Sequence, residues 1–222
     1  MRLGKDRVRA LLRLQHPDLA GLDLREVPSH GGSTLWRLGD DLAVRLPRSS
    51  EAAARLCRQH RWLPLLASRL PLAVPVPLHL GAPSALFGWH WTVVRWVPGE
   101  PASALPYDDK SVDVLAAFLR GLHVEAHIEA PEFRLALDSE RAPGVPRWIH
   151  GDLGPGTVVL ADGMPSGVVG FGELCGGDPA VDLASVSRWL PDFASSRLLA
   201  SYGADEAMTA RVGRWAALLD SD

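Results

Sequence analysis

The 222-residue sequence contains no asparagine and only two lysines. The lysines are Lys5 and Lys110, so the other 21 of its 23 basic residues are arginines. A mechanism that needs an asparagine side chain, or a lysine inside the body of the fold, therefore cannot operate here in its usual form.

Cysteine and long apolar runs are also scarce. The two cysteines, Cys57 and Cys175, are far apart and form no pair motif. This spacing argues against a disulfide framework or a cysteine-based zinc site and favours a reducing cytoplasm. No run reaches the roughly 18 to 20 apolar residues that cross a bilayer, so we expect a cytoplasmic protein without membrane attachment.

The N-terminal residues 1–15 alternate arginine with leucine and lack the apolar core of a signal peptide. This pattern predicts a surface amphipathic helix. Its expected packing residues are Val8, Leu11, Leu12 and Leu14.

Composition is otherwise that of an ordinary globular chain, with 47% hydrophobic and 22% charged residues. The formal net charge is −3, which does not favour a nucleic-acid partner. The length suits one two-lobed domain or two small ones.

The first half predicts a small antiparallel sheet that carries one helix. Glycines and an Asp40-Asp41 pair punctuate short runs of strand-forming residues, as in hairpins. Ser49 and Ser50 precede the helical stretch and can cap it. The predicted elements are strands at 21–27, 34–38 and 42–46, a helix at 51–67, and strands at 76–81 and 90–97.

The second half is mainly helical and follows a breaker cluster at 98–101, the candidate domain boundary. The predicted elements are a helix at 109–125, an irregular stretch at 131–146, strands at 157–160 and 167–171 joined at Asp162-Gly163, and two or three helices in 178–222. The fold class is therefore α+β.

One segment of the second half carries a recognisable motif. His150-Gly151-Asp152 and the following residues to Leu160 resemble the catalytic loop of the aminoglycoside phosphotransferase family. Residues 167–173 stand where that family has an Asp-Phe-Gly-like metal site, and residues 177–184 resemble the segment that follows it. Upstream, 38–47, 61–64 and 94–99 are similar to the family's nucleotide-lobe strand, helix and hinge.

The resemblance implies a protein-kinase-like bilobal fold. Residues 1–98 would form an N-terminal antiparallel sheet lobe like a nucleotide lobe. Residues 99–222 would form a truncated helical C-terminal lobe that contains the catalytic-loop-like segment 148–173. His150 follows His123 by only 27 positions, a short interval for a family that usually has a helical insertion there, so we expect exposed apolar surface and a homodimer or a protein partner to cover it.

The residues that the family uses for metal are missing. In the family pattern, Asp152 is the base that accepts the hydroxyl proton, and His150 precedes it by two positions. The first metal ligand falls at Gly170 and the second, an asparagine, falls at Thr157. We therefore expect no metal and no cofactor, with Glu173 as a weak substitute ligand.

The phosphate-binding side also departs from the family. Arg45 stands at the position of the phosphate-gripping cation, and its expected partner is Gln59, which is uncharged. The resemblance implies that Arg45 and Arg95 contact a nucleotide if one binds. The segment Gly31-Gly32-Ser33 fits a phosphate-binding loop and a plain hairpin turn equally well.

For several acidic and histidine residues we favour a structural role over metal binding. Asp178 is expected to cap the next helix and Asp182 to brace the catalytic loop. His123 and His127 are spaced like metal ligands on a helix, but no third ligand has suggestive spacing. We interpret both histidines as surface or packing residues.

The sequence thus favours a small-molecule enzyme that has lost metal-dependent phosphotransfer. Asp152, assisted by His150 and Arg45, would act as general base or acid in a metal-free reaction such as elimination, cyclisation or hydrolysis. One alternative is a residual phosphotransferase that uses ATP and Mg²⁺ on a metabolite or antibiotic hydroxyl. Another is a non-catalytic, pseudokinase-like binding subunit. The bias of arginine over lysine suits a GC-rich bacterial genome, in which antibiotic resistance and natural-product tailoring are plausible settings.

Overall fold

The computed structural model describes residues 3–29, 32–133 and 144–220. Within these residues, the helices are α1 (Lys5–Gln15), α2 (Ser50–Ala67), α3 (Asp109–Leu122), α4 (Pro179–Ser187), α5 (Asp192–Tyr202) and α6 (Glu206–Leu219). The strands are β1 (Leu24–Val27), β2 (Ser33–Leu38), β3 (Leu42–Pro47), β4 (Pro77–Gly81), β5 (Trp91–Arg95), β6 (Glu100–Pro101), β7 (Arg147–Ile149), β8 (Val158–Ala161), β9 (Met164–Val168) and β10 (Cys175–Gly177). None of the described helices has the length and apolar character needed to cross a membrane.

The chain divides into two compact units, of which the first comprises Met1–Ala67 and Pro75–Val97. Its five-stranded sheet has the order β1-β2-β3-β5-β4, and every neighbouring pair is antiparallel. The predicted antiparallel sheet is therefore confirmed. Ser49 Oγ accepts a hydrogen bond from the Ala52 backbone N–H at 3.1 Å, which caps α2 as expected.

The N-terminal helix is confirmed, but one of its predicted packing residues is wrong. Val8, Leu11 and Leu12 are fully buried, whereas Leu14 is 60% exposed. Residues i, i+3 and i+4 share one face of a helix, and Leu14 lies at i+6 from Val8, off that face.

The second unit comprises Ser68–Val74 and Pro98–Asp222. The predicted first domain, 1–98, is wrong about segment 68–74, because this segment forms an edge of the second unit. The Ala73 backbone N–H donates to Ser166 O at 3.1 Å, and the Val168 N–H donates to Ala73 O at 2.8 Å. The assignment of the first domain to nucleotide binding stays a prediction.

The second unit contains a three-stranded sheet (β6-β8-β9), a β10-β7 pair and the remaining helices. In this unit α3 packs against α5, and α4 packs against α6. The three C-terminal helices and the turn at Asp162-Gly163 are as predicted.

Two predicted elements of the second unit end earlier than the sequence pattern suggests. Helix α3 stops at Leu122 instead of 125, because the backbone leaves the helical region at His123 (φ −76°, ψ 53°). The strand predicted at 167–171 is β9 and ends at Val168, since Gly170 adopts a left-handed conformation (φ 87°) and begins a 3-10 turn.

Candidate active site

A buried carboxylate holds the loop that follows β7. Asp182 on α4 is fully buried. Its Oδ2 accepts the His150 backbone N–H at 2.7 Å, and its Oδ1 accepts the Gly151 N–H at 2.9 Å. His123 adds a third donor through Nε2, 3.1 Å from Oδ2. The predicted role of Asp182 as a brace for the loop is confirmed.

These donors keep Asp182 ionised. Burial alone would raise the pKa of a carboxyl group, but the side-chain hydrogen bond from His123 and the backbone hydrogen bond from Gly151 outweigh it. The pKa of Asp182 is therefore lowered from its ordinary value. A charged carboxylate with three N–H donors is a rigid anchor for the loop backbone.

Gly151 allows the loop to turn at this anchor. Its φ is 81°, and a Cβ built there would lie 2.8 Å from the backbone oxygen of Glu173. Both the left-handed backbone and the close approach of Glu173 require glycine. The turn brings Asp152 to the surface directly after the anchored residues.

His150 is fully buried, and both nitrogens of its ring face the backbone. Nε2 lies 2.8 Å from Val169 O, and Nδ1 accepts the Asp152 backbone N–H at 3.3 Å. The neutral ring with the proton on Nε2 satisfies both contacts. This geometry favours a positioning role for His150 over the catalytic role that the sequence suggests, since neither nitrogen is open to a substrate.

Burial also determines the protonation of His150. Desolvation lowers the pKa of His150, and the opposing charges of Asp182, Asp152 and Glu173 do not compensate. An unfolded histidine titrates near 6.5, so below about pH 6.5 the unfolded chain binds a proton that the folded chain does not. The free energy of unfolding should therefore fall as the pH is lowered from 7.5 to 5.

We expect this fall to be shallower in His150→Gln by up to about 1.4 kcal/mol per pH unit. Urea unfolding at several pH values measures it. His127→Gln, which alters an exposed histidine, serves as the control. Equal slopes in wild type and His150→Gln would contradict the assignment.

Asp152 differs from the other two acidic residues at this loop. Its side chain is exposed, and no described residue makes a hydrogen bond to its carboxylate. Asp182 is instead fully engaged, and Glu173 packs with its Cβ 3.2 Å from the Cβ position of Gly151. Of these three acidic side chains, Asp152 is the exposed one.

The two positions aligned with the family's metal ligands pack against each other. A Cβ built on Gly170 would lie 2.9 Å from Thr157 Cγ2 and 3.7 Å from His150 Cε1. Real Cβ atoms essentially never approach another atom that closely. The methyl group of Thr157 thus occupies the space that a side chain at position 170 would need.

The hydroxyl of Thr157 is occupied as well. It donates to Gly154 O at 2.9 Å and accepts the Gly154 N–H at 3.0 Å, which closes the 3-10 turn of Pro155–Thr157. Mg²⁺ prefers carboxylates in octahedral geometry, and neither position offers one. The residues at 157 and 170 therefore do not fit a divalent cation.

Other candidate metal ligands have structural roles. Asp178 caps α4 through the Ala180 N–H at 3.0 Å, as predicted, and also pairs with Arg211 at 3.0 Å. His123 is buried and His127 is exposed after the end of α3, so the two do not share a helix face. Among residues 3–29, 32–133 and 144–220, no group of three or more His, Cys, Asp or Glu side chains is arranged to hold a metal ion.

In the first unit, Arg45 on β3 has the neutral partner that the sequence predicts. Its Nη1 donates to Gln59 Oε1 at 2.6 Å, and Gln59 is 2% exposed. Burial lowers the pKa of the Arg45 guanidinium, which nevertheless remains charged. No described carboxylate neutralises it.

The other residues predicted to contact a nucleotide lie in the same unit. Gly32 and Ser33 form the start of the β2–β3 ladder, where Gly32 O accepts the Arg48 N–H at 2.7 Å. Arg95 ends β5 with an exposed side chain. Gly31 lies outside the described residues. Nucleotide binding by these residues stays a prediction.

Two residues near the loop were not predicted from the sequence to lie there. Trp189, which is 54% exposed, has Nε1 3.4 Å from the Cβ position of Gly154. The Tyr202 hydroxyl lies 2.9 Å from His123 Nδ1. Neither residue belongs to a motif, so no local signal pointed to them.

Comparisons with known proteins identify the family and the fold. The model of the phosphotransferase enzyme family matches residues 23–136 and 124–218. A search of curated proteins gives no match. Many solved structures share the fold.

Three phosphotransferase structures serve as examples. The GDP complex of wild-type aminoglycoside 2'-phosphotransferase-IIIa is 18% identical with a TM-score of 0.77, over 96% of this chain and 88% of that one. The streptomycin-ATP-APH(2")-IIa ternary complex is 16% identical with a TM-score of 0.73, over 99% and 88%. Macrolide 2'-phosphotransferase MphH from Brachybacterium faecium is 20% identical with a TM-score of 0.70, over 94% and 86%.

At these identities the solved structures establish the fold, which is the kinase-like α+β fold expected from the sequence. The family model covers well over half of the residues. The chain therefore belongs to the phosphotransferase enzyme family.

Proposed function

We propose that this chain has lost metal-dependent phosphoryl transfer and uses Asp152 for metal-independent acid–base chemistry on a small molecule. The observation that carries the proposal is the packing of Thr157 Cγ2 against Gly170. Phosphoryl transfer depends on cations that neutralise the transferring group. Two ligand positions that fill each other's space support a site that works without that cation.

The cation of the first unit supports the same proposal. Phosphotransferases of this type hold their phosphate-gripping cation with an acidic residue, whereas Arg45 is held by the neutral Gln59. A neutral amide gives one hydrogen bond and no charge compensation. Arg45 is therefore less firmly oriented toward a triphosphate than an ion-paired cation would be.

Asp152 supports the catalytic part of the proposal. Its carboxylate is exposed, while the backbone of the two preceding residues is fixed by Asp182. An oriented carboxylate can accept a proton without a metal. The positioned base would act on an O–H, N–H or C–H group of the substrate, or on water in a hydrolysis.

The proposed step needs no reactant other than water. In elimination or cyclisation, Asp152 takes the proton and the electron pair left on the substrate forms a new bond within it. In hydrolysis, Asp152 takes a proton from water, and the electron pair left on the water oxygen forms the new bond to the substrate. The leaving group departs with its own bonding pair. Asp152 then returns the proton to the leaving group or to water, which regenerates the carboxylate.

Nucleotide binding tests the loss of metal dependence. We expect ATP to change the melting temperature equally with Mg²⁺ and with EDTA, because no residue at 157 or 170 links the two ligands. Thermal shift measurements over a range of ATP concentrations give this comparison. A Mg²⁺-dependent stabilisation that disappears in Glu173→Gln would instead identify a residual phosphotransferase.

Asp152→Asn tests the chemistry, since it removes the base and keeps the size of the side chain. Small molecules that co-purify with this variant, identified by mass spectrometry, should change mass when wild-type protein is added in EDTA. The Asp152→Asn protein should convert them at least about 100-fold more slowly. A ligand that wild type leaves unchanged would identify a non-catalytic binding subunit. The cytoplasmic setting and the homodimer or protein partner stay predictions.

A further inference from the structure

Tyr202 extends the hydrogen-bonded anchor of the catalytic loop to the last turn of α5. The Tyr202 hydroxyl lies 2.9 Å from His123 Nδ1, and His123 Nε2 lies 3.1 Å from Asp182 Oδ2. Asp182 in turn holds the His150 and Gly151 N–H groups. A continuous chain of contacts therefore runs from α5 through α4 to the backbone before Asp152.

The two ends of this chain fix the direction of its hydrogen bonds. Burial raises the pKa of Tyr202 to about 12, so its phenol is protonated and has an O–H that can donate to His123 Nδ1. Asp182 is ionised and only accepts. His123 donates from Nε2 to Asp182, and the phenol is placed to donate to Nδ1, an arrangement that matches the Nε2–H form of the ring.

Backbone contacts keep the His123 imidazole at this junction. The His123 N–H donates to Leu119 O at 2.9 Å, and Arg147 Nη1 donates to His123 O at 3.2 Å. His123 and Tyr202 also pack edge to face, with ring centroids 5.5 Å apart. The backbone and ring contacts would persist without the phenol oxygen, but they do not distinguish the tautomers.

The alternative tautomer would weaken the anchor. With the proton on Nδ1, the Nε2 lone pair would face the Asp182 carboxylate at the present 3.1 Å separation. Two acceptors at this distance repel, so Asp182 would lose a donor and shift from its two backbone partners. The phenol disfavours this exchange, because an O–H donated to Nδ1 stabilises the lone pair there.

We propose that Tyr202 is a positioning residue for the catalytic loop, which it controls by holding His123 in the Nε2–H tautomer that binds Asp182. The inference rests on the proposed function only in that Asp152 lies on this loop. Its readouts are the His123 ring and two backbone amides, so it can fail or hold whatever chemistry Asp152 performs.

Tyr202→Phe removes the hydroxyl and keeps the ring. In ¹⁵N-histidine-labelled protein at neutral pH, we expect wild type to show the Nε2–H tautomer of His123 and the variant to lose that single state. Amide exchange at His150 and Gly151 should become about three- to ten-fold faster. Tyr107→Phe, at the other tyrosine, which is exposed, should leave both readouts unchanged.

A double-mutant cycle separates positioning from packing. His123→Gln removes the imidazole through which Tyr202 would act, so adding Tyr202→Phe should not accelerate Gly151 exchange any further. Additive effects would overturn the proposal. An unchanged His123 tautomer in Tyr202→Phe would also overturn it, as would a uniform rise in exchange throughout α3, α4 and α5.

Discussion

Asp182→Ala should lower the free energy of unfolding by about 3–5 kcal/mol, because it removes the one acceptor shared by three donors, of which His123 and His150 are buried. The His150 N–H, the Gly151 N–H and His123 Nε2 would all lose their carboxylate partner. The cavity left by a fully buried side chain adds to this cost. Urea unfolding at pH 7 gives the measurement.

Asp152→Ala is the matched control. It removes the same chemical group from the same loop, but Asp152 is exposed and makes no side-chain hydrogen bond to a described residue. We expect its unfolding free energy to remain within about 0.5 kcal/mol of wild type. An Asp182→Ala protein as stable as Asp152→Ala would refute the anchoring role of Asp182.

The contrast between the two aspartates follows from which protonation state each environment favours. The pKa of Asp182 is lowered despite burial, so its contribution to stability is present above the ordinary carboxyl pKa of about 3.9 and is lost as the pH falls below it. Asp182 therefore remains an anchor throughout the pH range in which His150 titrates in the unfolded chain. The fall in unfolding free energy predicted near pH 6 is therefore assigned to His150 and not to Asp182.

Local features of the site could be predicted from the sequence. The Ser49 cap, the Asp178 cap and the Asp162-Gly163 turn each depend on residues within three positions of each other. The Arg45–Gln59 contact was predictable because the family resemblance aligns β3 with α2. Contacts between residues that are close in sequence, and contacts that a family pattern aligns, can both be predicted from the sequence.

The contacts between residues far apart in sequence, which position the groups of the site, could not be predicted in this way. His123 meets Asp182 across 59 positions and Tyr202 across 79, and these contacts depend on how α3, α4 and α5 pack. The sequence alone also suggested His150 as a catalytic partner of Asp152, since the two stand side by side in the motif. Only the fold shows that the ring turns inward to Val169.

The loss of the two metal ligands also acquires a physical explanation in the fold. In the sequence, Thr157 and Gly170 are two separate departures from a family pattern. In the structure, the Val169 N–H donates to Thr157 O at 2.8 Å, which places residue 170 against the Thr157 side chain. The two positions therefore constrain each other, and an aspartate at 170 has no space while the threonine methyl remains.

Substitution of Gly170 by alanine measures this constraint directly. Gly170→Ala combines the strain of a left-handed backbone (φ 87°) with a contact of 2.9 Å to Thr157 Cγ2. Gly163→Ala has a similar strain (φ 77°), but nothing lies within 4 Å of its Cβ position. We expect Gly170→Ala to cost about 1–3 kcal/mol more than Gly163→Ala in unfolding free energy, the usual range for overpacking.

Thr157→Ser tests whether that difference in unfolding free energy comes from a single methyl group. Serine keeps the hydroxyl that binds Gly154 and lacks Cγ2, so Gly170→Ala in this background should cost no more than Gly163→Ala. If the excess cost persists, the obstruction lies elsewhere and the methyl does not exclude a ligand from position 170. If the excess cost disappears, a carboxylate can return to position 170 only after Thr157 has changed, and packing against that methyl group is what keeps a side chain out of position 170.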